Sequence, residues 1–139
     1  MEIQFKKIIE TAQMPTYSSD GAACFDLYCT VGGSVPAGAS AVFDTGIACA
    51  VPDGHVMMVY SRSGHGFKNG ITLVNGTGVI DSDYRGSIKV GLRNDSMTCY
   101  MVKDGERVAQ GMIIPVQQVS FVEVYELSET IRGDGGLLS

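Results

Sequence analysis

Five short stretches of this chain carry polar groups where a folding polypeptide has little use for them. Residues 75–94, NGTGVIDSDYRGSIKVGLRN, set Asp81, Asp83, Tyr84 and Arg85 in a turn between two apolar runs. A tight turn calls for Gly, Asn or Asp; two carboxylates, a phenol and a guanidinium are more than it needs. ACFDLYC places one acid, Asp26, in an otherwise apolar run, and GERVAQG at 105–111 does the same with Gln110. A buried amide has to find partners. SRSG brings Arg62, Ser63 and Gly64 to the start of a short helical stretch, where backbone N–H groups and the helix dipole attract phosphate. IRGDGGLLS surrounds Arg132 with glycines. The chemistry in reach is the binding of a small anion, with carboxylates on hand for a proton or a cation. Taken singly, each stretch has a plainer reading: a capped Asp, a loop-starting Ser-Gly, a structural Gln, a disordered tail.

The elements that must position these groups are short strands. Eighteen glycines punctuate apolar runs, and strands are expected near 2–9, 24–31, 41–48, 56–60, 71–74, 78–80, 87–93, 98–102, 107–114 and 119–125. The clearest alternation sets Ile88, Val90 and Leu92 against Ser87, Lys89, Gly91 and Arg93, the mark of a half-buried antiparallel strand. The runs flanking Asp81 read as the two arms of one hairpin. Met57, Met58 and Val59 read as core, and Lys6 with Lys7 as a solvated face. One helix fits between Arg62 and Lys68. Turn signals every eight to twelve residues point to an all-β sandwich, jelly roll or barrel.

Composition narrows the function classes. The chain has 139 residues, suited to one domain, and a net charge of −5 with no basic block. A general nucleic-acid binder needs a basic footprint and is disfavoured, while local arginines can still hold a small anion within a Debye length of about 8 Å. No apolar run is long enough to span a membrane, and MEIQFKKIIE is too charged for a secretory signal. Cys24, Cys29, Cys49 and Cys99 form no C-x-x-C pair and do not cluster with His55 or His65. They read as reduced thiols of a cytoplasmic protein.

In order, ACFDL, SRSG, NGTGVIDSDYRG, GERVAQ and RGDGG resemble the five motifs of the trimeric dUTP diphosphatase (dUTPase) family. The resemblance spans residues 23 to 136. It implies a homotrimer of distorted jelly-roll subunits, each with one short helix, a β domain over 1–127 and a C-terminal arm or lid over 128–139. It implies Mg²⁺-dependent hydrolysis of dUTP to dUMP and pyrophosphate by water attack on the α-phosphorus, which limits uracil incorporation into DNA and supplies dUMP for thymidylate synthesis. Three active sites would be shared between chains. One subunit would give the hairpin for the nucleoside, a second the phosphate motifs, and the third the arm.

Residue by residue, the resemblance makes Asp81 the base that activates the water. A carboxylate of ordinary pKa is ionised at neutral pH and takes a proton without tuning. Backbone groups of Gly78, Val79 and Ile80, with the Asn75 amide, match the acceptor–donor–acceptor edge of uracil. Cytosine would leave buried groups unpaired. Glycines at 76 and 78 permit close approach, Tyr84 packs under the deoxyribose, and Lys89 lines the pocket through its backbone. Arg62, Ser63 and Gly64 hold the phosphates, Gln110 an α-phosphate oxygen or the water, and Arg132 the γ-phosphate. Asp26 contacts Mg²⁺ through water, since that ion keeps most of its hydration shell. Arg107 braces the site through ion pairs, Asp83 and Arg85 act in the turn and between subunits, and His65 near the phosphate loop has no assigned role.

The fifth motif departs from the family pattern. Leu137 stands where an aromatic residue is usual, followed by Leu138 and Ser139 rather than a Gly-Ser-Thr-Gly run. Leu137 covers a base without stacking on it, at a cost of about 1 kcal/mol, so weaker lid closure is expected. Cys24 and Ser61 also differ from the usual Gly and Pro. A related fold serves dCTP deaminases, which need a glutamate where this chain has Gly91. The remaining rival is a catalytically weak, nucleotide-sensing or partner-binding homologue.

Overall fold

The computed structural model describes residues 1–137. Its strands are β1 (Gln4–Lys7), β2 (Thr16–Tyr17), β3 (Phe25–Tyr28), β4 (Gly33–Val35), β5 (Ser40–Asp44), β6 (Ile47–Ala50), β7 (His55–Tyr60), β8 (Ile71–Leu73), β9 (Gly78–Ile80), β10 (Lys89–Asn94), β11 (Tyr100–Val102) and β12 (Arg107–Pro115), with one helix, α1 (Ser63–Asn69), between β7 and β8. A five-stranded sheet runs β2-β3-β12-β7-β9 and a three-stranded sheet β5-β10-β8, with two-stranded pairs β1-β6 and β11-β4 beside them. The all-β, jelly-roll-like architecture with a single short helix is the expected one.

Alternation explains which face each strand buries. Ile88, Val90 and Leu92 point into the core and are almost fully buried, as are Leu27, Met57 and Val108 from the five-stranded sheet. Together with Phe43, Ile71 and Leu73 they form one apolar cluster between the two sheets. Each such side chain is worth about 1.5–3 kcal/mol on burial. Met57 and Val59 are core as read, with Met58 half-buried between them, and Lys6 and Lys7 are exposed.

Asn94, at the end of β10, ties sheets together. It is 0% exposed, and its amide donates to the carbonyls of Val35 (2.8 Å) and Thr98 (2.7 Å) while its oxygen accepts from the Ser96 N–H (2.9 Å) and hydroxyl (2.7 Å). All four hydrogen bonds of a buried amide are thereby made.

Four expectations need correction. The run read as one strand over 41–48 is two, β5 and β6, broken at Thr45–Gly46. Gly46 takes a φ of +68°, and the buried Thr45 hydroxyl donates to Ile88 O at 2.7 Å, so the chain turns where alternation alone carried on. β2 and β4 are too short to leave a periodic signal. Residues 119–125 form no strand. Val119, Phe121, Val122, Val124 and Tyr125 are exposed, an apolar run with no partner strand among the described residues. Lastly, the arms around Asp81 are not a hydrogen-bonded hairpin. β9 pairs with β7 and β10 pairs with β5 and β8, so residues 81–88 cross from one sheet to the other and leave a cleft between them.

Candidate active site

The polar motifs gather into two places. The first is built on β3, β7 and β12. Antiparallel register sets Gln110 opposite Asp26 on one side and Tyr60 on the other, which brings the SRSG turn after β7 beside both. Asp26 is 8% exposed. Its carboxylate meets Arg62 Nε at 3.6 Å and Arg107 Nη1 at 3.3 Å. Arg62 also donates to the carbonyl of Arg107 at 3.3 Å, and Gln110 Nε2 donates to the carbonyl of Ser61 at 2.9 Å. A register shift between Arg107 and Ala109 is the sort of bulge that re-aims a side chain. It lets Arg107 reach Asp26 from the strand end. A buried carboxylate between two guanidiniums is thus fixed at one end of the sheet.

Ser63 and Gly64 open α1 with no side-chain cap on its first N–H groups. A Cβ at Gly64 would meet nothing within 4 Å, so packing within the chain does not demand glycine there.

Behind this turn lies a network with no counterpart in the sequence reading. His65 is buried, with Nε2 3.0 Å from Glu106 Oε2, and the Tyr100 hydroxyl donates to the same oxygen at 2.9 Å. The two rings meet edge to face at 5.5 Å. Burial holds the His65 pKa below its usual value, Arg62 adds to that, and Glu106 partly opposes it. At neutral pH the ring is therefore neutral with its proton on Nε2, and Nδ1 is buried without a hydrogen-bond partner among the described residues. Burial and the bond to Glu106 push the Tyr100 hydroxyl up to about 12. Residues 41 positions apart leave no mutual signal in one sequence; a histidine on the inner face of a short helix was the only hint.

The second place is the cleft between β9 and β10. It encloses about 350 Å³ and is lined by Asn75, Gly78, Val79, Ile80 and Lys89 among others, a size suited to a small ligand. Next to it a recess of about 200 Å³ is lined by Val79, Ile80, Asp81, Tyr84, Ser87, Ile88 and Lys89. Tyr84 donates to the carbonyl of Ser87 at 3.2 Å. Arg85 folds back on the turn, donating to the carbonyls of Ser82 (2.6 Å) and Tyr84 (3.0 Å). The Asp81 carboxylate is exposed and makes no hydrogen bond or ion pair among the described residues. Gly78 differs from expectation in its reason. A Cβ there would come within 2.9 Å of Val59 Cβ, so the β7–β9 pairing itself calls for glycine. Gly76 takes a φ of +69°.

The two places do not meet. Ile80 pairs with Met57 and Gly78 with Val59, so Asp81 lies level with Val56, while Arg62 follows the opposite end of β7. At about 3.3 Å per residue the two groups stand roughly 20 Å apart. Arg132, the third part, sits in the arm with its Nε on the carbonyl of Gly135 at 2.7 Å. Leu138 and Ser139 lie outside the described residues. Among the described residues no three His, Cys, Asp or Glu side chains converge as a metal cage.

A family model for dUTPase matches residues 10–139. The chain belongs to the dUTPase family. It is 43% identical over 136 residues to the deoxyuridine 5'-triphosphate nucleotidohydrolase of Nautilia profundicola, covering 98% of this chain and 96% of the relative, and 40% identical to that of Wolinella succinogenes, covering 98% and 91%. Among solved structures, the dUTPase of Staphylococcus bacteriophage 80alpha with dUPNHPP superposes with a TM-score of 0.90 at 25% identity, over 97% of this chain and 95% of that one. A mutant dUTPase of phage phi11 of S. aureus, described with a structural Mg(II) ion, gives a TM-score of 0.84 at 22% identity over 91% and 98%. The same matches bear out the family resemblance read from the sequence.

Proposed function

We propose that this chain is a dUTP diphosphatase that hydrolyses dUTP to dUMP and pyrophosphate, removing dUTP from the pool open to DNA synthesis and yielding dUMP for thymidylate. One observation carries the reading to the level of residues. Asn75, Gly78, Val79, Ile80 and Lys89, the residues matching the nucleoside motif, line a single cleft, and Asp81 and Tyr84 line the recess that continues it. Uracil enters the cleft and presents its edge to the backbone of 78–80 and the Asn75 amide. The deoxyribose rests on Tyr84, and the phosphates leave past Asp81.

Asp81 accepts a proton from water as the water oxygen forms its bond to the α-phosphorus and the bond to the bridging oxygen of pyrophosphate breaks. Arg62, Ser63 and Gly64 hold phosphate oxygens, Gln110 orients an α-phosphate oxygen or the water, and Arg132 reaches the γ-phosphate. Catalysis of this kind is mostly positioning and charge stabilisation. Asp26 is the one carboxylate of the arginine cluster, which fits an Mg²⁺ ion held chiefly by phosphates and its own waters. Bound there, Mg²⁺ would neutralise phosphate charge, and Asp26 would hold its hydration shell.

The separation of roughly 20 Å between Asp81 and Arg62 supports a homotrimer with three shared sites, each taking its nucleoside half, its phosphate half and its arm from different subunits. Residues 119–125, apolar and exposed in the single chain, suit a segment that another subunit covers. The four free cysteines suit a reducing cytoplasm. No helix among the described residues is long and apolar enough to cross a membrane.

Pyrophosphate release is the decisive assay, from dUTP beside dCTP, dTTP and UTP, with Mg²⁺ and with EDTA. The expected result is release from dUTP alone, dependent on metal. Asp81→Asn should lower kcat by about 10²–10⁴-fold and leave stability within about 0.5 kcal/mol, because the carboxylate is unpartnered. Tight dUTP binding with no release would show a sensor rather than an enzyme.

A further inference from the structure

The cleft between β9 and β10 has a third wall that the nucleoside motif does not include. Gly91 lies on the outward face of β10, between Val90 and Leu92, which point into the core. Its neighbours across the sheet are Val42 on β5, its register partner, and Val74, whose N–H donates to the Gly91 carbonyl at 2.9 Å. All three residues line the cleft. Glycine at this position makes a trough in an otherwise continuous row of side chains, and Val74 leans into it. An ideal Cβ on Gly91 would sit 2.3 Å from Val74 Cγ2, far inside van der Waals contact. The methyl of Val74 occupies the volume that any side chain at 91 would need.

This arrangement fixes what each residue of the pair permits the other. The backbone of Val74 is tied to Gly91 by the hydrogen bond, so a clash cannot be relieved by sliding the chain away. Valine has one side-chain torsion with few open wells, so a side chain at 91 has to displace an isopropyl group that itself lines the cleft. Val74 is half-exposed and borders solvent there rather than packed core.

We infer that Val74 and Gly91 are a coupled pair that sets the width of the base-binding cleft, and that they act as specificity-determining residues for a flat pyrimidine ring. The inference rests on the proposed dUTP reading for the identity of the ring. Gly91 gives the ring depth, and the Val74 isopropyl, parked in the trough, gives it an apolar wall at a set distance. Aromatic rings bury well against such surfaces, and Asn75 and residues 78–80 line the same cleft, where on the proposed reading their polar groups read the ring's edge. The position that excludes a deaminase carboxylate is thus also a shaping element in its own right.

The test is a double-mutant cycle over Gly91→Ala, Val74→Ala and the two together, with kcat and KM for dUTP and a thermal melt for each. Gly91→Ala drives Val74 into the cleft, so KM should rise about tenfold while kcat stays within about twofold. Val74→Ala removes the wall and should raise the relative turnover of dTTP, whose extra methyl then has room. The double variant frees the trough again, and its KM should return to within about threefold of the Val74→Ala value. A purely structural role would lower the melting temperature of Gly91→Ala with KM unmoved, and that result overturns the inference. So does a double variant whose KM is the product of the two single effects, since then the residues are not coupled. If wild type releases no pyrophosphate from dUTP, the functional reading fails first, and the width claim is then tested by deoxyuridine binding to the same four proteins.

Discussion

Replacing Asp26 by Asn is the most informative single change in the phosphate half of the site, because it alters charge with almost no change in shape. Two guanidiniums converge on this carboxylate, Arg107 at 3.3 Å and Arg62 at 3.6 Å. Coulomb's law gives each pair about 5 kcal/mol at an effective dielectric of about 20. Neither figure survives as stability. The Arg107 side chain is 46% exposed, and solvent screening leaves it about 1 kcal/mol or less. Arg62 is 21% exposed and Asp26 12%, so this pair keeps more of its attraction, offset by the cost of desolvating the carboxylate. What the substitution adds is an uncompensated pair of positive groups held together by the Arg62 bond to the Arg107 carbonyl. We expect a net loss of about 2 kcal/mol. It should be read as a lower urea midpoint at fixed protein concentration with the slope unchanged. The same variant should need about 10–100-fold more Mg²⁺ for half-maximal turnover, the usual cost of losing a group that orients a metal's outer shell, while dUMP affinity without metal stays put. An Asp26→Asn protein as stable as wild type, with the same Mg²⁺ titration, would refute both the energetic account and the metal role.

His65→Gln should keep a donor to Glu106 and lose the titratable ring. The folded pKa of His65 is held below the ordinary 6.5, so the unfolded chain takes up the proton first. The neutral ring's contribution is fully present above pH 6.5 and is lost as pH falls through the folded value. The stability difference between wild type and His65→Gln should shift across that window, and parallel curves from urea titrations at several pH values would count against a neutral buried ring. Removing residues 131–139 takes away Arg132, whose proposed charge-assisted phosphate contact would be worth about 1.5–3 kcal/mol. kcat/KM for dUTP should drop about tenfold or more with dUMP binding kept; unchanged kcat/KM would mean the arm is no lid.

Much of the fold was legible where one face of a strand is dry and the other wet. Ile88, Val90 and Leu92 announced β10, and the Ser-Gly pair after Arg62 announced α1. Legibility failed where the determining contact is distant. Nothing between Ala41 and Ala48 shows that Thr45 bonds to Ile88 and turns the chain. The apolar character of 119–125 is that of a strand, but no strand among the described residues pairs with it, and composition alone does not tell a paired run from an unpaired one. In the candidate site, the family's motifs were readable from residue type and order. Their grouping was not. Asp81 and Arg62 belong to one motif set yet stand at opposite ends of β7, and only the register of β7 with β9 reveals it. The His65–Glu106–Tyr100 network escaped for the same reason.

The distance along β7 has a genetic consequence. On the proposed sharing, a chain with a damaged Asp81 still lends an intact phosphate half to its neighbour, and a chain with a damaged Asp26 still lends an intact nucleoside half. Two alleles that are each inactive alone would then complement within a mixed assembly, whereas two lesions in the same half would not. The map of which alleles rescue which would trace the two ends of a single six-residue strand.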